Sequence, residues 1–430
     1  MPFIHFAEAR AGATDLVRSH VAVAEDIAQA LLVTDLFGRI RLVLWTNVGA
    51  FDAARTALHG KLAEVCGDWW TGDMLLVAGT DEGASIWNGA WLEARQDATE
   101  ARLRHLSRHR SRTGWFAKRD APLWEVPDGP PLVVFYSFKG GLGRSTTLAS
   151  FAIQRSRAGE RVAVVDFDLD APGVGTLLSA DQEGTISPWG IVDYLIERTH
   201  GDVPLSQYHH ACARVSASGE IKVFPAGMID ECYTDKLARV DLEEPATTDK
   251  SALFHLLEDI RSEVAPNWIL LDARTGLSEP AGRLLSGIAH LHVLFGTTSE
   301  QSWQGLRAVI DRLGRQRLLE GKAQAEILLV QAMAPATSES RQLATEAFAE
   351  RARKEFVDHY YAVEPDGAED DRWNVGDLES ADAPHAPTVL AYQEALAHFR
   401  GVEAVADTLT KDAYLAVGER IAARFRQEEE

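Results

Sequence analysis

A glycine run, two basic side chains and three carboxylates are spaced along this chain as a site for a phosphate chain would need them. Phe135 to Ser150 reads FYSFKGGLGRSTTLAS. Gly140, Gly141 and Gly143 permit backbone angles that a Cβ forbids. Their N–H groups, with the positive end of a following helix, can hold an anion. Ser145 offers a hydroxyl where a magnesium ion beside such a phosphate would sit. RVAVVDFDLDAPG, Arg161 to Gly173, ends an apolar run in Asp166, Asp168 and Asp170, and an extended strand directs all three to one side. NWILLDARTGLSE, Asn267 to Glu279, delivers Asp272 from a second buried run, suited to a metal's outer shell. Taken alone, such an acid run is equally a polar strand end with caps for the next turn.

These residues need a parallel sheet beneath them, because carboxylates gather at the C-terminal edge of the strands in a doubly wound fold. Leu132 to Tyr136 reads as a buried strand, followed by the glycine turn and a helix starting near Arg144. Ile221 to Gly227, His290 to Gly305 and Glu326 to Gln331 carry further strands, with His292 as a packed strand histidine. Helices are expected over 187–198, with Ser187 as the cap, and near 249–263, 301–315, 338–355 and 410–425. The fold class expected is α/β: a doubly wound, mostly parallel sheet P-loop NTPase domain at 132–430, preceded by a smaller α/β N-terminal domain at 1–120. The segment 121–131 carries four prolines in eleven residues and reads as an extended linker. In the N-terminal part, 39–47 and 74–80 read as strands and 51–65 as the helix between them. Trp69, Trp70, Trp87 and Trp91 read as core and turn packing. No nucleophile–base pair is visible there.

The run Lys139-Gly-Gly-Leu-Gly-Arg-Ser-Thr-Thr departs from the standard Walker A pattern. Phe138 stands at its first glycine and Arg144 at its lysine. With the acid motifs following in order, the segment from Leu132 to Gln427 resembles the ParA/MinD-type P-loop ATPases (SIMIBI class), which carry a deviant Walker A. The resemblance implies ATP and Mg2+ as cofactors. It implies nucleotide contacts from Lys139, Gly140, Gly141, Leu142, Gly143, Arg144, Ser145 and Thr146, with Gln331 against the base. It implies a metal site around Ser145, Asp166 and Asp272, and Asp168 orienting the attacking water. Lys139 matches the signature lysine that reaches the partner subunit's nucleotide, so a nucleotide-dependent homodimer is expected. Arg274 is either a phosphate sensor or a surface salt-bridge residue. An arginine keeps the charge of the usual lysine but not its reach, and a misplacement of about 1 Å can cost on the order of a hundredfold in rate. Two readings follow: a slow ATPase, favoured by the retained Lys139, Ser145 and acids, or a nucleotide-sensing protein without turnover.

The formal net charge of −21 repels nucleic acid and anionic membranes. Against it stands Arg102 to Arg119, with six arginines, one lysine and two histidines, no acid, and Trp115 and Phe116 among them. Three readings stay open for this stretch: a nucleic-acid contact, docking on an acidic protein surface such as Glu364 to Asp382 of the same chain, or a solvated helix and linker. Nucleic acid is allowed but not favoured as a partner. An unidentified protein partner, engaged through the N-terminal domain, is expected. The N-terminus lacks a signal-peptide pattern, and no apolar run approaches the roughly 20 residues of a membrane span. The ending RFRQEEE lacks the basic amphipathic helix with which MinD-type proteins grip lipid. No membrane role is expected, and a cytoplasmic location is. Cys66, Cys212 and Cys232 form no CxxC pair, which argues against zinc, iron–sulfur and redox relatives. The acidic, proline-bearing stretch Asp366 to Pro387 reads as a rigid surface turn.

Overall fold

Chain contacts divide the protein into two units, Met1–Arg112 and Thr113–Glu430. The computed structural model describes residues 4–78, 82–108, 122–126, 128–215, 217–240, 242, 251–320, 326–361, 373–399 and 401–426. Residues 109–119 of the basic stretch and 364–372 of the acidic one lie outside the described residues.

The first unit runs α1 (Phe6–Val23), β1 (Gln29–Thr34), β2 (Ile40–Trp45), α2 (Val48–Cys66), β3 (Trp70–Val77), α3 (Glu82–Glu93), β4 (Arg95–Gln96) and β5 (Leu103–Ser107). Its sheet has the order β3-β2-β1-β5-β4. β1 lies antiparallel to β2 and parallel to β5. Ala9, Ala13, Leu58 and Leu62 of the first two helices bury against Leu32, Leu42 and Leu44. On the other face Ala90 and Trp91 of α3 cover Leu31, Val33 and Val43. The basic stretch therefore begins as a sheet strand, not as a solvated helix. Arg102 donates to the carbonyls of Val21, Ala24 and Ile27 at 2.5, 3.0 and 3.2 Å, tying β5 to the end of α1 and the turn that follows it. Arg104 donates to the Trp91 carbonyl at 2.8 Å and lies over that indole ring. Asp97, buried beside the edge strand, accepts both arms of Arg18 at 3.0 and 2.9 Å and faces His105 at 3.0 Å. The Arg18 hydrogen bonds hold its carboxyl well below the usual carboxylate range.

The second unit continues with β6 (Leu132–Ser137), α4 (Arg144–Arg157), β7 (Arg161–Phe167), α5 (Val174–Leu177), α6 (Ile191–Glu197), β8 (His210–Ala211), β9 (Glu220–Phe224), α7 (Tyr233–Leu237), α8 (Ala252–Asp259), β10 (Trp268–Ala273), α9 (Glu279–Leu284), β11 (Leu291–Gly296), α10 (Glu300–Glu320), β12 (Glu326–Ala334), α11 (Ser338–His359), β13 (Thr388–Ala391) and α12 (Asp412–Ala423). The sheet order is β13-β12-β11-β6-β10-β7-β9-β8. Every pairing is parallel except that of the two-residue edge strand β8. Successive side chains leave opposite faces of a strand. Leu132, Val134 and Tyr136 join one core with residues of α6, α8, α10 and α11. Val133 and Phe135 join another with Leu148, Phe151, Val417 and Ile421 of α4 and α12. Both faces are covered, so the apolar strands read as near-continuous runs.

Two local expectations are corrected. The helix expected from Ser187 starts at Ile191, after Gly190. The Ser187 hydroxyl is committed to the Gln207 carbonyl at 2.6 Å. The Asp193 carboxylate instead accepts the Gly190 N–H at 3.0 Å, and Ile191 and Val192 donate to the carbonyls of Pro225 and Ala226. A Cβ on Gly190 would stand 2.4 Å from the Gly227 nitrogen, so the close approach excludes any side chain there. The proline segment is the other case. Trp124 is buried in the core of the second unit, and its indole donates to the Pro130 carbonyl at 2.8 Å. Burying an indole outweighs the extended preference of the flanking prolines.

His290 ties this segment to the sheet. Its Nδ1 accepts the Leu132 N–H at 2.9 Å and its Nε2 donates to the Trp124 carbonyl at 2.8 Å, which requires the neutral ring. Burial pushes its pKa below the ordinary 6.5. A histidine whose folded pKa is depressed binds its proton better unfolded. Its contribution is complete above about pH 6.5 and is lost as pH falls below that value. The melting temperature is expected to drop across that interval, with a shallower drop in His290→Gln; identical slopes in the two proteins would contradict this.

Candidate functional site

The loop between β6 and α4 is shaped by its glycines. Gly141 and Gly143 hold left-handed φ values of 76° and 78°, which a side chain would strain. Nothing lies within 4 Å of a Cβ placed on Gly140, Gly141 or Gly143, so their backbone is open to approach. Leu142 is buried and anchors the loop in the core with α4. Gly143 caps α4 without a side chain, leaving the first N–H groups of that helix facing the loop. Thr146 is half-buried, while Lys139, Gly140 and Gly141 are exposed.

Phe138, at the position where Walker A has a glycine, is fixed from the side. A Cβ on Gly305 of α10 would stand 1.9 Å from its ring. Glycine inside a helix costs about 1 kcal/mol relative to alanine, and here it opens the notch that seats the ring. Tyr136, two residues earlier, donates its buried hydroxyl to the Gly276 carbonyl at 3.1 Å. The strand end is thereby joined to the loop after β10.

The sheet order places β10 between β6 and β7, with Asp272 beside both Phe135 and Asp166. The acids meet as this register requires. Asp166 and Asp272 are 0% exposed, and Asp168 and Arg144 are 7% exposed. Arg144 donates from Nε to Asp272 Oδ1 at 2.5 Å and from Nη2 to Asp168 Oδ2 at 2.8 Å. Ser145 Oγ donates to Asp272 Oδ2 at 2.6 Å. Burial works to lower the pKa of Arg144, but Asp272 and Asp168 outweigh it and hold the pKa above its ordinary value. Burial pushes Asp272 upward, against the pull of Arg144. Burial, with the charge of Asp272 added, pushes Asp166 up to about 7.

The expected sharing of one face by Asp166, Asp168 and Asp170 does not occur. The strand stops at Phe167 because Asp166 turns the chain over itself. Its Oδ1 accepts the Asp168 N–H at 3.3 Å, and its Oδ2 accepts those of Gly173 and Gly175 at 3.0 and 3.1 Å. Aspartates make such turns readily. Asp168 stays inside, while Asp170 leaves and pairs with Arg274. Arg274 is thus a salt-bridge residue between the loops after β7 and β10. Gln331 is buried in β12; its Nε2 donates to the Ala344 carbonyl at 3.1 Å, and its Oε1 has no partner among the described residues.

A magnesium ion usually keeps waters and phosphate oxygens around one or two carboxylates. The donors here suit that habit: a hydroxyl and a carboxylate in contact, beside a glycine loop open to approach. Among the described residues no group of three or more His, Cys, Asp or Glu side chains forms a protein-only metal cage. Arg144 Nη1 is buried without a hydrogen-bond partner among the described residues. Sequence reasoning missed the capture of Arg144 by two acids, the Phe138–Gly305 notch and the Tyr136–Gly276 bond. Phe138 in a glycine's place and Gly305 inside a helix were the available signals.

No protein-family model matches the chain, and no curated protein matches it. Among the solved structures it resembles are ParA and MinD proteins. One is pNOB8 ParA bound to nonspecific DNA, 15% identical, covering 69% of this chain and 98% of that one, with a TM-score of 0.44. Another is the cell division ATPase MinD of Pyrococcus furiosus, 16% identical, covering 68% and 98%, with a TM-score of 0.43. A third is cobyrinic acid a,c-diamide synthase of Mycobacterium smegmatis with bound ATP analog and magnesium, 18% identical, covering 52% and 80%, with a TM-score of 0.38.

Proposed function

We propose that the second unit is a magnesium-dependent ATP-binding switch that hydrolyses ATP slowly, dimerises on nucleotide and regulates a protein partner through the first unit. The observation that carries this reading is Nη1 of Arg144, buried and without a hydrogen-bond partner among the described residues, on the helix that opens from the glycine loop and among three buried acids. A buried guanidinium nitrogen with no acceptor is costly, and a phosphate oxygen satisfies it. The N–H groups from Gly140 to Thr146 would hold the phosphates, with Ser145 and Asp272 as the residues to hold the metal. Magnesium, when bound, screens phosphate charge. Asp168 would accept a hydrogen bond from the attacking water and orient it. Lys139 is the exposed charge left for a second subunit.

Titration of ATP with Mg2+ into the intact chain is expected to release heat with one site per chain. Folded protein that gives no heat overturns the reading. A second reading, nucleotide sensing without turnover, is favoured by one contact: the Arg144–Asp168 bond at 2.8 Å occupies the carboxylate that would orient water. Steady-state phosphate release decides between them, since turnover that disappears in Asp168→Ala excludes the second. Nucleic acid remains unfavoured as a partner, because Arg102 and Arg104 are spent on internal contacts. Among the described residues no helix is long and apolar enough to cross a membrane. Cys66, Cys212 and Cys232 are free thiols, which suits the reducing cytoplasm.

A further inference from the structure

We propose that Arg144 is an internal counter-cation that competes with a metal ion for Asp272 and Asp168, so that the acids admit the ion only when the guanidinium is drawn off. Both oxygens of Asp272 are occupied, Oδ1 by Arg144 Nε and Oδ2 by Ser145 Oγ. Each oxygen keeps a further lone pair, so a metal reaching this carboxylate meets the charge of Arg144 at contact distance. Among the described residues no other lysine or arginine forms an ion pair with Asp166, Asp168 or Asp272. The three buried carboxylates share one positive charge.

An arginine suits this duty as a lysine would not. Its planar fork presents separate nitrogens, so Nε and Nη2 reach two acids at once. Its charge is permanent, so the pairing cannot be dissolved by proton loss. Nη1, without a partner among the described residues, is then the handle. An oxyanion bound at the glycine loop competes for the same guanidinium, and as it draws Arg144 away it exposes Asp168 and Asp272 together. That trigger rests on the nucleotide reading above; the competition itself does not. The arrangement makes metal entry conditional on an anion, and it keeps the water-orienting Asp168 engaged until then.

The test uses Mn2+ alone, read as loss of the free-ion electron paramagnetic resonance signal, with the intact chain and no nucleotide. The wild type is expected to bind weakly. Removing a full charge at contact distance is worth much more than a factor of ten in a low-dielectric site, so Arg144→Gln is expected to bind Mn2+ at least about tenfold more tightly. The gain should vanish when Asp272→Asn is added. A folded Arg144→Gln protein with unchanged Mn2+ affinity overturns the proposal, and so does a gain that survives Asp272→Asn. Should Arg144→Gln fail to fold, Arg144→Met takes its place: it removes the same charge, so tighter Mn2+ binding is again expected and unchanged binding overturns the proposal. Mn2+ uptake by Arg144→Gln with no ATP heat from the wild type leaves the competition standing and the nucleotide reading refuted. ATP heat from the wild type with no Mn2+ gain does the reverse.

Discussion

Replacing Lys139 with alanine is expected to lower ATP turnover by at least about a hundredfold and to abolish ATP-dependent dimerisation, with little change in thermal stability. The reason is a division of labour between the two basic residues of the loop. Arg144 is buried and engaged with two acids. Lys139 is exposed, and among the described residues it takes part in no ion pair. Phosphoryl transfer needs positive charge positioned at the transferring group, and in the proposed mechanism Lys139 supplies it across a face-to-face pair. Exposed lysines contribute little to folding, so the melting temperature is the control. Size-exclusion and phosphate release are measured together. An ATP dimer that persists in Lys139→Ala, or turnover that survives, removes the lysine from the proposed mechanism.

The substitution Gly305→Val is expected to lower stability by roughly 1–3 kcal/mol through overpacking, and to weaken ATP binding at the same time. Glycine to a larger residue in a helix ordinarily gains stability. Here the new Cβ would stand 1.9 Å from the base of the Phe138 ring, so the ring must move, and Phe138 is the first residue of the phosphate loop. The site lies at the other end of that displacement. Phe138→Ala in the same background should recover part of the loss, giving a coupling energy of about 0.5–3 kcal/mol for residues in contact. Strictly additive effects in a double-mutant cycle, or ATP affinity that ignores Gly305→Val, would show that the notch does not position the loop.

The expected elements of the second unit are found with modest shifts, because their signals are local: apolar runs closed by glycine or acid, and helical spacing between them. Asp272 reaches the site because the strand carrying it is buried over its full length. What escaped depends on pairings that spacing does not encode. Arg144 lies 24 residues from Asp168 and 128 from Asp272, and nothing in the glycine motif says that its guanidinium turns inward. Asp170 reads as equivalent to its neighbours until the turn built by Asp166 sends it to Arg274. In the first unit α1, β1, α3, β4 and β5 go beyond the three elements expected. The buried face of α1 is made partly of Ala9 and Ala13, which mark a core weakly. β5 lies within a stretch whose arginines dominate its composition, although Leu103 and Leu106 are its buried residues.

The position of β6 in the sheet has a consequence for the order in which the protein matures on the ribosome. Its two neighbours, β10 and β11, span Trp268–Ala273 and Leu291–Gly296, far downstream of the strand they flank. Non-local pairings are slow to form, and nascent chains build up from the N-terminal end. A nascent polypeptide therefore carries the phosphate loop for more than a hundred residues of synthesis before either flanking strand exists to hold it. The first unit has no such wait, since all of its strands fall within the first 107 residues; it can take shape while the second unit is still being translated.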